Sequence, residues 1–139
     1  MYYQSKGAYD TIVLVMNTVL IIEDDPLLTK MYKTKFQSEG FEILTAEDGE
    51  VGLKSAQEAK PDFIILDIMM PKLSGIDVLK RLRQGDWGAG VPVIVLSNLT
   101  EKKEMEEARV LGVKEFLVKS NLTPKDIVEK VKGYLAGGD

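Results

Sequence analysis

At 139 residues the chain has room for one domain with one core. Its 22 acidic and 18 basic residues give a net charge of −4, which does not favour a nucleic-acid surface. With neither cysteine nor histidine it can form no disulfide, no thiolate or imidazole metal site, no Ser-His-Asp triad and no phosphohistidine of its own. The missing cysteines fit a reducing, cytoplasmic setting. No run approaches the roughly 20 apolar residues of a membrane span, and the start does not read as a signal peptide.

Residues 1–16 read as an extension. Tyr2, Tyr3 and Tyr9 lie among small and polar residues, and Met16 opens what reads as a domain start. Two readings compete: an appendage, or an extra edge strand over 11–15. The domain proper is expected over 17–136, with 137–139 as a frayed tail.

Val19–Ile22 reads as a buried strand ending in Glu23-Asp24-Asp25. Asp25 is placed to cap a helix that Pro26 opens, with Leu28, Met31, Tyr32 and Phe36 at helical spacing as far as Ser38. Phe41–Thr45 reads as a second strand. Gly49–Ala59 reads as a helix with Val51, Leu53 and Ala56 inward, stopped before Pro61. Phe63–Leu66 is a run of four apolar residues, a strand buried on both faces, and it ends in the carboxylate of Asp67. Ser74 caps the next helix, whose apolar face is Ile76, Leu79 and Leu82.

Gly85–Gly90 is a loop holding Trp87, either an exposed contact loop or an anchor packed under the helix. Val91–Leu96 is a strand ending at Ser97-Asn98. Glu101–Leu111 is a helix with a thin apolar side of Met105, Ala108 and Leu111. It carries the i,i+4 pairs Lys102/Glu106 and Lys103/Glu107. Lys114–Val118 is a strand ending at Lys119-Ser120. Thr123-Pro124 caps a last helix facing inward through Ile127, Val128, Val131, Tyr134 and Leu135.

Strand and helix thus alternate five times, which implies an α/β fold with a parallel sheet and helices on both faces. In such a sheet the strand ends share one edge, where ligands bind. Glu23, Asp24, Asp67, Ser97 and Lys119 therefore converge. Taken singly, each has an ordinary explanation as helix cap, turn former or surface lysine. Together they form a chemistry. Three carboxylates repel one another unless a cation intervenes, and an all-oxygen donor set points to Mg2+. A metal, an ammonium and a hydroxyl suit a phosphoryl group, with Asp67 as nucleophile.

The segments Val-Leu-Ile-Ile-Glu23-Asp24-Asp25, Leu66-Asp67-Ile-Met-Met-Pro71-Lys-Leu-Ser-Gly75, Val-Ile-Val-Leu-Ser97-Asn98 and Phe116-Leu-Val-Lys119 occur in that order. From about Asn17 to Leu135 the chain resembles a response-regulator receiver domain of two-component signalling, in the CheY-like superfamily. The resemblance implies a flavodoxin-like (βα)5 sheet in the order 2-1-3-4-5. It makes Asp67 the phosphoacceptor. Glu23 and Asp24 become the acid pair at Mg2+, with Asp67 and the Met69 backbone carbonyl as further ligands. Ser97 becomes the switch hydroxyl, Phe116 the switch aromatic, and Lys119 the phosphate-pairing lysine. It implies a histidine kinase or phosphotransfer protein as donor, an effector protein downstream, and a monomer or a weak dimer on phosphorylation. No direct nucleic-acid or membrane contact is expected.

Two residues depart from that pattern: Ser120 stands where proline is usual after the lysine, and Asn98 where a small residue is usual. Met69 and Leu99, both apolar, stand where the attacking water would be oriented, which implies slow self-dephosphorylation. The chain is thus expected to be a signalling switch and no turnover enzyme. The rival readings are a degenerate receiver that binds partners without phosphorylation, and a haloacid-dehalogenase-type phosphohydrolase. The second needs an acid two residues after the nucleophile, where Met69 stands. An output domain is not visible, so the chain is either a free-standing receiver or an excised one.

Overall fold

The computed structural model describes residues 16–98 and 101–137. The expected edge strand over 11–15 and the role of Leu99 lie outside the described residues. Five strands alternate with five helices: β1 (Thr18–Ile22), α1 (Pro26–Ser38), β2 (Glu42–Ala46), α2 (Gly49–Ala59), β3 (Phe63–Leu66), α3 (Gly75–Arg83), β4 (Val93–Ser97), α4 (Lys102–Val110), β5 (Glu115–Val118) and α5 (Pro124–Leu135). All pairings are parallel and the sheet order is β2-β1-β3-β4-β5, as the resemblance implied.

The unbroken apolar runs follow from the two covered faces. Leu20, Ile22, Ile64, Leu66, Val93 and Val95 point to one face, where they meet Ala56 of α2, Leu79 and Leu82 of α3, and Ala108 of α4. The alternate residues Val19, Ile21, Phe63, Ile65, Ile94 and Leu96 point to the other, against Tyr32 and Phe36 of α1 and Ile127, Val128 and Val131 of α5. A strand with period-two alternation between two cores has no polar face to show.

The helix starts are built locally. Asp25 Oδ1 accepts from the N–H groups of Leu27 and Leu28, at 2.9 and 3.4 Å. Asp48 caps α2 through the Val51 N–H at 2.9 Å. At α3 the Ser74 hydroxyl accepts from the Asp77 N–H and donates to the Asp77 carboxylate. A reciprocal capping box forms at α5, where Thr123 and Asp126 each bond the other's backbone N–H, at 3.2 and 2.8 Å.

Several expectations need correction. Met31 is 44% exposed, because the inward stripe of α1 runs through Tyr32 and Phe36 with Leu28 half-buried beside it. Val51 is 43% exposed, because α2 lies so close to the sheet that only small residues fit there. A Cβ on Gly52 would sit 2.7 Å from the Ile22 side chain. β4 begins at Val93, since Pro92 has no N–H for the ladder and contributes only its carbonyl, to Ile64 N–H at 3.0 Å. β2 runs one residue later than expected. Trp87 is half-buried against the first core, which favours the anchor reading of its loop. On α4, Glu106 is gripped by the Arg109 guanidinium and Glu107 by Lys80 of α3 at 3.4 Å, in place of the expected lysine partners. Met105 is partly exposed and only Ala108 of α4 is buried.

Arg83, at the end of α3, was not singled out in the sequence. Its guanidinium donates to the carbonyls of Leu111 (2.8 Å), Gly88 (2.8 Å), Val91 (2.7 Å) and Gly112 (3.3 Å). It thereby ties the loop after α3 to the turn between α4 and β5. Hydrogen bonds from a charged donor are worth more than neutral ones, and stranded carbonyls carry a desolvation cost. Arg83→Met should destabilise the fold by roughly 2–4 kcal/mol in denaturant titration. Arg83→Lys should recover little of this, because one ammonium cannot replace a planar fork. A loss of less than roughly 1 kcal/mol would show that the clamp is dispensable.

Candidate functional site

The site forms where β1 and β3 run out. The Glu23 N–H still bonds Ala46 O, and the Asp67 N–H still bonds Ile22 O, each at 3.0 Å. Both backbones are thus held by the sheet ladder one residue past their strands. Their side chains lie at its carboxyl edge, each residue only 4% exposed. Gly75 lets the start of α3 close over this edge: a Cβ there would lie 2.2 Å from the Asp67 carbonyl oxygen. The Gly75 N–H bonds Ile68 O at 2.9 Å. The loop between Asp67 and Gly75 is further tied down by the ion pair of Lys72 with the buried Asp48, at 3.2 Å. Lys72 sits in the left-handed region, with φ of 68°.

Lys119 follows β5 on a short 3-10 turn over Lys119–Asn121. Its ammonium donates to Asp67 Oδ2 at 2.9 Å and also pairs with Glu23 Oε1. The second oxygens are held by backbone: Glu23 Oε2 accepts the Asp25 N–H and Asp67 Oδ1 accepts the Met69 N–H, each at 3.1 Å. Glu23, Asp24 and Asp67 offer carboxylate oxygens that all lie within 4.8 Å of one another, and Asp24 is exposed. Three carboxylates and one ammonium leave an excess of negative charge. Its donors are all oxygen, so the set fits a hard divalent cation such as Mg2+.

Burial pushes the Glu23 carboxyl up to about 7, against the opposing pull of the Lys119 hydrogen bond. Burial would lower Lys119, but its hydrogen bonds to Glu23 and Asp67 outweigh it and leave the ammonium above its usual range. Tyr32, buried on α1, is raised by burial, and Lys119, Glu23 and Asp67 all act on it electrostatically.

The structure therefore brings together Glu23, Asp24, Asp67 and Lys119. Ser97 is the last residue of β4, 1% exposed and paired in register with Val118, the residue before Lys119. Phe116 is half-buried against the first core, paired with Val95. Met69 is 59% exposed beside the acids. One link at the site was missed in the sequence: the bond between the two departures. Asn98 and Ser120 are bonded to each other, the Ser120 N–H donating to Asn98 Oδ1 at 3.1 Å. A spare acceptor in one departure and a spare N–H in the other was the available clue.

The family model of the response regulator receiver domain matches residues 19–132. Among relatives, the alkaline phosphatase synthesis transcriptional regulatory protein PhoP of Bacillus subtilis is 32% identical over 117 residues, covering 84% of this chain and 48% of that protein. The polar-differentiation response regulator DivK of Brucella anthropi is 31% identical over 118 residues, covering 85% of this chain and 95% of that protein. The CheX-CheY-BeF3-Mg+2 complex from Borrelia burgdorferi superposes with a TM-score of 0.77 at 31% identity, covering 86% of this chain and 89% of that one. The chain spans about half the length of the first curated relatives it matches, PhoP among them.

A carboxylate that holds a metal must be deprotonated, so a proton would compete with any cation at Glu23 below its raised pKa. Calorimetric titration with Mg2+ should show affinity climbing from about pH 6 to about pH 8 and then levelling. Asp24→Asn should weaken binding about tenfold or more while leaving the metal-free melting temperature unchanged, since Asp24 is exposed. Affinity independent of pH across that window would contradict a ligand role for Glu23.

Proposed function

The chain belongs to the response regulator receiver domain family, and from that we propose that it is a phosphoryl-accepting signalling switch with Asp67 as the acceptor. The observation that carries the reading is the Lys119 ammonium, seated on Asp67 Oδ2 at 2.9 Å within the acid cluster. In the proposed reaction an Asp67 carboxylate oxygen attacks the phosphorus of a donor. The donor is a phosphohistidine of a sensor kinase or phosphotransfer protein, or a small acyl phosphate. The bond from phosphorus to the donor's nitrogen or oxygen breaks as the aspartyl-phosphate forms, and the donor departs with that electron pair.

Glu23, Asp24, Asp67 and the Met69 carbonyl would hold Mg2+, which supplies charge neutralisation at the phosphoryl oxygens. Lys119 moves from the free carboxylate to the new phosphoryl group, an anion within reach of the same side chain. Ser97, buried at the end of the neighbouring strand β4, supplies a hydroxyl. The CheX-CheY complex named with BeF3 and Mg+2 supports reading the acid cluster as a magnesium site.

The output reading follows from packing. α4 has Ala108 as its one buried residue among those described, and an element held by so little moves at small cost. Phosphorylation draws Ser97 inward, Phe116 turns, and the 99–118 face changes its partner binding. The receiver acts by protein contact in the cytoplasm, without touching nucleic acid or membrane itself. Met69 has no group that can orient water, so the aspartyl-phosphate is long-lived and the domain does not turn over substrate as an enzyme does.

Intact mass after incubation with acetyl phosphate and Mg2+ tests this. One phosphoryl group should add to the wild type and none to Asp67→Asn, and a chelator should prevent the addition. After removal of the donor, the adduct should persist for minutes or longer. No adduct on the wild type would favour a receiver that works without phosphorylation. Decay within seconds would contradict the role given to Met69.

A further inference from the structure

We infer that Asn98 is a positioning residue for Lys119, holding through the Ser120 N–H the turn from which the ammonium reaches the acids. This rests on the phosphoacceptor reading of Asp67. The β4–β5 ladder ends with Ser97 opposite Val118. Beyond it the chain leaves the strand at Lys119 and enters a three-residue 3-10 turn. The early N–H groups of a helical turn have no partner within it. No side chain caps this turn at Val118, and its far end is closed by the Leu122 N–H on Lys119 O at 3.3 Å. The Ser120 N–H is met instead by Asn98 Oδ1 at 3.1 Å, from the residue that follows β4. A side chain thus extends the link between β4 and β5 past the point where the two backbones part.

The consequence falls on Lys119. Its side chain is a four-carbon stem of limited reach, so where the turn holds its Cα decides how many rotamers bring the ammonium to both carboxylates. The ammonium has to satisfy both Asp67 and Glu23 now, and to follow the phosphoryl group later. The bonded N–H belongs to the very next residue. Proline at position 120 would delete that donor and would disfavour the helical backbone of the residue before it, which is Lys119. Asn98 and Ser120 therefore work as one device, an acceptor and a donor that have meaning only together. Both residues are exposed, so the bond contributes little to global stability and its effect is local.

The test is a double-mutant cycle on the rate of phosphoryl uptake from acetyl phosphate, read by intact mass alongside thermal melting. Asn98→Leu keeps the volume and removes the acceptor; Ser120→Pro removes the donor; Ser120→Ala keeps the N–H and serves as control. Each of the first two should slow uptake about fivefold to tenfold, with the Asn98→Leu melting temperature close to wild type. Ser120→Ala should match wild type. The double variant should be no slower than the slower single, because both changes remove the same bond. Asn98→Leu at the wild-type rate, or fully additive losses in the double variant, would overturn the inference and leave the phosphoacceptor reading standing. A wild type that takes up no phosphoryl group would overturn both.

Discussion

One ammonium between two nearly buried carboxylates is the contact on which the site stands. Glu23 and Asp67 are held by the sheet one residue past their strands, and neither can retreat into water without dislodging backbone hydrogen bonds. Removing the charge partner from buried ions is more costly than never having buried them. Lys119 supplies that partner from the far side of the sheet edge. The excess negative charge that remains, including the exposed Asp24, is what a divalent cation would meet. In the proposed reaction metal and phosphoryl group would enter such a site together, since each brings what the other lacks.

The surroundings hold this arrangement by close approach. Gly75 places the start of α3 against the Asp67 carbonyl, and Gly52 lets α2 settle onto Ile22 just before Glu23. The helices on one face are thereby brought near the acid loops, and the Lys72–Asp48 pair pins the loop between them. Farther along that face α4 is treated differently. It rests on Ala108 and on ion pairs to Lys80 and within itself. Rigidity beside the acids and looseness two strands away is the mechanical division a switch needs.

Much of this was legible in the sequence. Apolar runs of four or five residues between turn signals marked β1, β3 and β4, because both faces of the sheet are covered and no polar alternation interrupts them. Asp25, Ser74 and Thr123 announced helix starts by capping chemistry that is local in the chain. The acids and Lys119 could be gathered because a parallel sheet puts every strand end on one edge. What failed depended on distance in space. Met31 and Val51 fit a helical stripe, yet which side of a stripe is buried depends on how near the helix lies to the sheet. Arg83 looked like one more basic residue at a helix end; its four carbonyl partners come from segments up to 29 residues away in the chain. Asn98 and Ser120 were each visible as departures, but their bond spans 22 residues and a fold had to exist before they could meet.

The central claim is that Asp67 itself carries the phosphoryl group, and chemical trapping tests it most directly. Borohydride reduces an acyl phosphate to an alcohol and leaves free carboxylates alone, so it writes the position of the modification into the chain. Peptide mass mapping after phosphorylation and reduction should find the reduced residue at position 67 and nowhere else. Reduction at Glu23 or Asp24, with Asp67 intact, would contradict the account.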